Sequence, residues 1–221
     1  MTFLFQDRAE AGGKLAAALK PLEGQDVVVY ALPRGGVPVA AEIARAHGWP
    51  LDLLLVRKIG APGHDELALA AVVDGEAPDI AINEDVAAMY GLGDADVRAM
   101  ARPHLAEIER RRSLYLDGRP PLAAAGRTAI VVDDGIATGA SIMAALKALA
   151  RRKPARIILA VPVAPADTLE RLRPLADEIV CLEVPERFYA VGAHYQSFAQ
   201  VGDAEVVDLM RNLASDEGEA G

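Results

Sequence analysis

The stretch from Ala129 to Ser141 limits the fold of this chain more than any other. It reads Ala-Ile-Val-Val-Asp-Asp-Gly-Ile-Ala-Thr-Gly-Ala-Ser. Its first four residues are an unbroken apolar run rich in β-branched side chains. Such a run, without polar alternation, suits a strand buried on both faces, as in a parallel sheet covered by helices. From Ser141 to Ala150 the residues are mostly Ala, Leu and Met, which read as a helix. Two carboxylates therefore stand at the carboxyl end of a strand, the edge where ligands bind in open α/β sheets. The small-residue loop that follows leads into a helix N-terminus, where free N–H groups favour an anion. Thr138 and Ser141 add hydroxyl donors, and Gly139 and Ala140 let a phosphate approach the backbone. Asp133 and Asp134 would repel that phosphate. Their acceptor-only chemistry suits a vicinal diol or a hydrated Mg²⁺ instead. The competing reading is an ordinary capped turn between strand and helix.

A second unit of the same kind lies upstream. Val27 to Leu32 is fully apolar, Pro33-Arg34-Gly35-Gly36 follows, and a helix is expected from Val37 to His47. An arginine among glycines suits a bidentate phosphate contact, though many strand-to-helix turns carry glycine.

Together these stretches resemble the type I phosphoribosyltransferases, whose signature is an apolar strand, two acidic residues and a Thr-Gly loop ending in Ser or Thr. The resemblance implies that Asp133 and Asp134 hold the ribose hydroxyls of 5-phosphoribosyl-1-pyrophosphate (PRPP) and its Mg²⁺. It places Ala137, Thr138, Gly139, Ala140 and Ser141 around the 5′-phosphate. It makes Arg34, Gly35 and Gly36 the pyrophosphate loop, which in that family often contains a non-proline cis peptide. The family carries a mobile loop near residues 57–66, which makes Arg57 and Lys58 candidates for the pyrophosphate end; Lys58 joins Arg34, Asp133 and Asp134 as a catalytic candidate. The alternative for that segment is a solvated turn with ordinary charges. His64 reads as a surface histidine, and Asp65 and Glu66 are candidate proton acceptors.

The aromatics gather late, in Pro185 to Phe198, although only 5% of the chain is aromatic. By resemblance to the purine enzymes' hood, Phe188 stacks on the acceptor base with Tyr189 beside it; otherwise the aromatics cover the end of the sheet. Two positions depart from the 6-oxopurine enzymes. Ala137 stands where they have an aspartate facing the base, and Val161 to Pro165 lacks their lysine. Hypoxanthine and guanine are therefore disfavoured as acceptors.

Elsewhere the chain alternates helices and strands. An amphipathic helix entered through Asp7 is expected over Phe3 to Leu19, with Gly12 and Gly13 retained for close backbone packing. Strands are expected at Leu51–Val56, Leu67–Val73, Asp79–Ile82, Arg156–Val163 and Glu178–Val184. A helix from Asp94 or Asp96 to Tyr115 should be kinked or split by Pro103, with Arg110, Arg111 and Arg112 on a solvated face. Net charge is −9, which argues against a nucleic-acid backbone as partner. The lone Cys181 excludes an intramolecular disulfide. No apolar run reaches membrane-spanning length, and Asp7 follows the first apolar residues too closely for a signal peptide, so a cytoplasmic location is expected.

The resulting expectation is an α/β fold with a mostly parallel five-stranded core sheet flanked by helices. A small hood is formed by residues 1–20 and 185–214, and a disordered acidic tail by 215–221. The implied function is transfer of the phosphoribosyl group of PRPP to a small-molecule nitrogen acceptor with Mg²⁺. Neither nucleic acid nor membrane takes part, and there is room for a homo-oligomer. The alternative is a PRPP- or nucleotide-sensing protein without turnover. A nucleotide hydrolase is disfavoured because no Walker-type lysine precedes Ser141.

Overall fold

The computed structural model describes residues 3–74 and 79–219. Five strands form one parallel sheet: β1 (Val27–Ala31), β2 (Leu51–Leu53), β6 (Thr128–Val132), β7 (Arg156–Val163) and β8 (Glu178–Glu183), in the order β2-β1-β6-β7-β8. Every pairing in it is parallel, and β1 meets β6 in register from Val27↔Thr128 to Ala31↔Val132. The chain moves outward from β1 to β2 and then returns to the other side of β1 as β6. That reversal makes the β1–β6 pair the sheet's switch point, where a crevice opens beyond the carboxyl ends.

The strand residues divide cleanly between the two faces. Val27, Val29 and Ala31 pack with α1 (Arg8–Leu19), α2 (Gly36–His47) and the apolar residues of α7 (Asp203–Glu219). Val28, Tyr30, Ala129 and Val131 pack against α5 (Ala140–Arg151) and α6 (Ala166–Leu172). Helix α5 buries Ile142, Ala145, Leu146 and Leu149, the i, i+3, i+4, i+7 stripe of a helix lying on a sheet. Helices α2 and α5 thus leave the adjoining strands toward opposite faces. Asp7 caps α1 through its Oδ1, which accepts from Glu10 N at 2.9 Å. Gly12 is required by close packing: a Cβ there would lie 2.6 Å from Val39 O, whereas Gly13 meets nothing.

The segment expected as a loop at 57–66 is a hairpin instead. Strands β3 (Val56–Ala61), β4 (His64–Val73) and β5 (Asp79–Ile82) make a separate antiparallel sheet, with Gly63 at φ 76° in the β3–β4 turn. The expected strand Leu51–Val56 is correspondingly cut at Leu53. An antiparallel strand needs only one buried face. Ile59 and Ala61 supply it here, while Lys58 stays exposed. Gly75 to Pro78, between the expected strands Leu67–Val73 and Asp79–Ile82, lie outside the described residues.

A short helix α3 (Glu84–Met89) leads to α4 (Asp94–Leu116), which contains Pro103 without being split. Arg110 and Arg111 pair with Glu107 as a solvated face would. Arg112 does not share that face. It is buried, donating to both oxygens of Asp52 at 3.0 and 3.1 Å and to Asp74 at 2.5 Å. Asp52 also accepts from Leu53 N and Leu122 N, and Asp74 from Leu55 N. This network ties the antiparallel sheet to the edge of the parallel one.

At the other end, Leu4 N and Phe5 N donate to His194 O, and Gln196 N and Ser197 N donate back to Phe5 O and Gln6 O. The amino-terminal segment and residues 194–197 are thereby laced together over the switch point. Helix α7 continues past Ala214 to Glu219; Ala220 and Gly221 lie outside the described residues.

Candidate functional site at the switch point

Two loops meet where β1 and β6 end. Leu32 N donates to Val132 O at 2.9 Å, and Gly36 N returns to Leu32 O at 3.1 Å. The loop between them carries a cis Pro33–Arg34 peptide. It lies so close to the β6 loop that side chains are excluded. A Cβ on Gly35 would stand 2.1 Å from Asp134 Oδ2, and one on Gly36 would stand 2.7 Å from Val132 O. The two glycines thus bring the Arg34 loop into contact with the paired carboxylates. Arg34 Nη1 lies 3.4 Å from Asp203 Oδ1, which also accepts from Tyr115 OH at 2.6 Å.

Asp133 and Asp134 stand side by side, and Asp134 N donates to Asp133 Oδ1 at 2.9 Å. Burial, followed by the neighbouring Asp134 charge, holds the Asp133 carboxyl well above the usual range. Burial raises Asp134 as well, against the opposing pull of Arg8. Arg8 Nε donates to Asp134 Oδ2 at 2.8 Å, and Nη2 lies 2.7 Å from the same oxygen. Tyr195 OH donates to Asp134 O at 2.6 Å and fixes the backbone there.

Beyond the carboxylates the loop turns into α5 through Gly139, which is left-handed at φ 75°. Its carbonyls are held from outside: Thr168 Oγ1 donates to Ala137 O at 2.9 Å, and Arg171 Nη2 reaches Thr138 O at 3.4 Å. Among the described residues nothing accepts from the N–H groups of Ala137, Thr138 or Gly139. The first-turn N–H groups of α5 are free by helix geometry. Unpaired N–H groups at the positive end of a helix macrodipole make an anion nest.

Six of the sequence-predicted residues border two clefts, whereas Gly36, Asp133, Ala137, Gly139 and Ser141 line neither. Arg34, Gly35 and Asp134 line one of about 580 Å³, together with Arg8, Val191, Phe198 and Gln200. Thr138, Ala140 and Lys58 line another of about 450 Å³, which also takes in Lys147 and Arg171. Lys58 is therefore not brought to Arg34; its strand walls the cleft on the side of the anion nest. Phe188 and Tyr189 line neither cleft. Phe188 stacks on His194 with centroids 5.3 Å apart, and Tyr189 is 77% exposed. The aromatic at the first cleft is Phe198.

Sequence reasoning missed Arg8 and Phe198. Arg8 follows the N-cap of α1, so its charge opposes the helix macrodipole. An unfavourable cation at that position was the available signal, since it needs a carboxylate from elsewhere. Phe198 belonged to the aromatic run, but only the tertiary fold picks it out.

A family model described as the phosphoribosyl transferase domain matches residues 6–197. Two curated Mycobacterium tuberculosis proteins, "Putative phosphoribosyl transferase Rv0571c" of strain H37Rv and its MT0597 counterpart of strain CDC 1551, are each 44% identical over 218 residues. The match covers 99% of this chain and 49% of each relative, so the chain spans about half the length of the curated relatives it matches. The crystal structure of TT1426 from Thermus thermophilus superposes with a TM-score of 0.82 at 42% identity, covering 95% of this chain and 98% of that one. No helix among the described residues is long and apolar enough to cross a membrane.

Proposed function

The chain belongs to the phosphoribosyl transferase domain family, and we propose that it transfers the 5-phosphoribosyl group of PRPP to a nitrogen acceptor, releasing pyrophosphate. One observation carries this reading. At the switch point the carboxylate pair abuts the glycine loop bearing Arg34 and leads directly into an unpaired N–H nest that borders the neighbouring cleft. A phosphate, a diol and a pyrophosphate in that order along one ligand match the three chemistries.

In this reading Ala137 to Ser141 receive the 5′-phosphate, Asp133 and Asp134 hold the ribose hydroxyls, and the Arg34–Gly35–Gly36 loop takes the pyrophosphate. The acceptor nitrogen forms its bond to C1 as the C1–O bond breaks, and that electron pair leaves on the pyrophosphate. C1 becomes oxocarbenium-like, so the rate depends on charge placement and alignment. Arg34 stabilises the departing charge, and the carboxylates fix the ribose. Lys58 joins this chemistry only from the neighbouring cleft.

The donor set fits Mg²⁺ shared with the ligand. Among the described residues no group of three ligating side chains can hold a metal unaided. Two adjacent half-buried carboxylates facing a single guanidinium have acceptor capacity left for a hard cation that brings its other oxygens from substrate and water. When bound, Mg²⁺ would supply charge neutralisation at the pyrophosphate.

Ala137 favours a second reading, PRPP sensing without turnover, because it leaves the acceptor without the carboxylate that 6-oxopurine enzymes place there. Radiolabelled PRPP with a panel of bases separates the two: a labelled nucleotide product means transfer, and retention of intact PRPP means sensing. The site itself is tested by replacing Asp133 and Asp134 with asparagine together. Calorimetry should show loss of Mg·PRPP binding by a folded protein; unchanged affinity would remove the ribose assignment.

A further inference from the structure

Arg8 is the one charged side chain lining the first cleft to which the proposed transfer gives no task. It is held tightly for a cleft residue. Its side chain is 12% exposed, Nε and Nη2 both meet Asp134 Oδ2, and Nη1 donates to Ala199 O at 2.7 Å. The guanidinium carbon sits 3.9 Å from the centroid of the Phe198 ring. A guanidinium carries five N–H donors; Nε and Nη1 donate here and Nη2 lies in ion-pair contact with Asp134, which leaves N–H groups for a ligand.

The charge balance of the cleft decides what that ligand is. In the free protein Asp134 neutralises Arg8. Once ribose hydroxyls and a metal-bound substrate also draw on Asp134, its hold on Arg8 weakens, and guanidinium N–H groups in the cleft are left for a further acceptor to meet. A buried guanidinium with donors unmet is costly beside a neutral ring and favourable beside a carboxylate. Arg34, the other cation of the cleft, lies on the pyrophosphate loop. Residues 161–165 supply no lysine that could read a neutral oxo group. Val191 and Phe198 give the cleft its apolar wall.

We infer that the acceptor is an anionic nitrogen heterocycle bearing a carboxylate, and that Arg8 is the residue that selects it. This inference rests on the phosphoribosyl-transfer reading. The competing account makes Arg8 a pin that fastens α1 to the β6 loop and reads nothing.

Two pairs of product-like nucleotides separate these accounts, because within each pair only the base changes. Nicotinic acid mononucleotide is compared with nicotinamide mononucleotide, and orotidine 5′-monophosphate with uridine 5′-monophosphate, each titrated calorimetrically into the full chain. At least one acid should bind about tenfold or more tightly than its neutral partner. In Arg8→Gln that ratio should collapse toward one, whatever happens to absolute affinity, and Arg8→Lys should restore part of it. Using the ratio cancels general weakening through Asp134, and the lysine variant covers a glutamine variant that folds poorly. No preference in either pair, or a preference that survives in Arg8→Gln, overturns the inference. Ribose 5-phosphate is titrated alongside. If the wild-type chain fails to bind it, the transfer reading itself has failed and the acceptor assignment falls with it.

Discussion

Arg34 and Gly35 do different work in the same loop. Gly35 has no room for a side chain, because Asp134 Oδ2 occupies the place of its Cβ. Gly35→Ala must therefore push the loop and the carboxylate apart, and the cost falls on the site rather than the core. Arg34 is partly exposed and meets Asp203 at 3.4 Å, a contact weak enough to exchange for a ligand. Arg34→Ala should weaken PRPP binding by about 2 kcal/mol, the scale of a charge-assisted contact. Ribose 5-phosphate, which lacks the pyrophosphate, should bind nearly as before. Parallel titrations decide this, and equal losses for both ligands would move Arg34 away from the pyrophosphate end. The sequence made these residues legible because glycine and arginine in a strand-to-helix loop already carry a backbone and a charge argument. Arg8 was not legible in this way. Its partner Asp134 lies 126 residues along the chain, and no local pattern links the two.

At the scale of elements, the strands buried on both faces could be read directly. Val27–Ala31, Thr128–Val132 and Arg156–Val163 are apolar almost throughout, and burial on two faces leaves no alternation to misread. The β3–β4 hairpin was hidden because charge, glycine and proline over 57–66 resemble a loop. Within β3 the buried face rests on Ile59 and Ala61 alone. Arg112 was hidden for the converse reason: it sits beside two arginines that really are solvated, and only the approach of Asp52 and Asp74 sets it apart. That network fastens the hairpin sheet to the core. Arg112→Met should remove the charge shared by two buried carboxylates and destabilise the fold by about 3 kcal/mol or more at neutral pH. Burial already lifts Asp74 to about 6 with Arg112 present. Without the guanidinium the folded-state value rises further, so protonation favours the folded variant and the loss should shrink as pH falls. Urea unfolding of variant and wild type at neutral and mildly acidic pH measures the difference. A loss that does not change with pH would mean that Arg112 contributes packing alone.

At the scale of the whole molecule, the fold holds a carboxylate pair where burial works against its ionisation. Burial and mutual repulsion raise Asp133 well above its unfolded value of 3.8, and burial raises Asp134. A carboxyl whose folded pKa exceeds its unfolded pKa stabilises the fold below the unfolded value. That contribution is lost as pH climbs through the folded value. Keeping the pair ionised near neutrality therefore costs the free protein stability. A ligand that brings a divalent cation and two hydroxyls needs the ionised pair, so its affinity should rise across the same interval. The increase in melting temperature produced by saturating Mg·PRPP should accordingly grow from mildly acidic to neutral pH, because ligand binding adds RT ln(1 + [L]/Kd) to stability. The pyrophosphate of the ligand titrates too, and Asp133→Asn isolates that part: whatever pH dependence survives in the variant belongs to the ligand. Differential scanning calorimetry of both proteins, with and without Mg·PRPP, provides the comparison. A wild-type shift that is flat with pH, or equal to that of Asp133→Asn throughout, would show that ligand binding draws no proton from the pair and would remove Asp133 from the binding site.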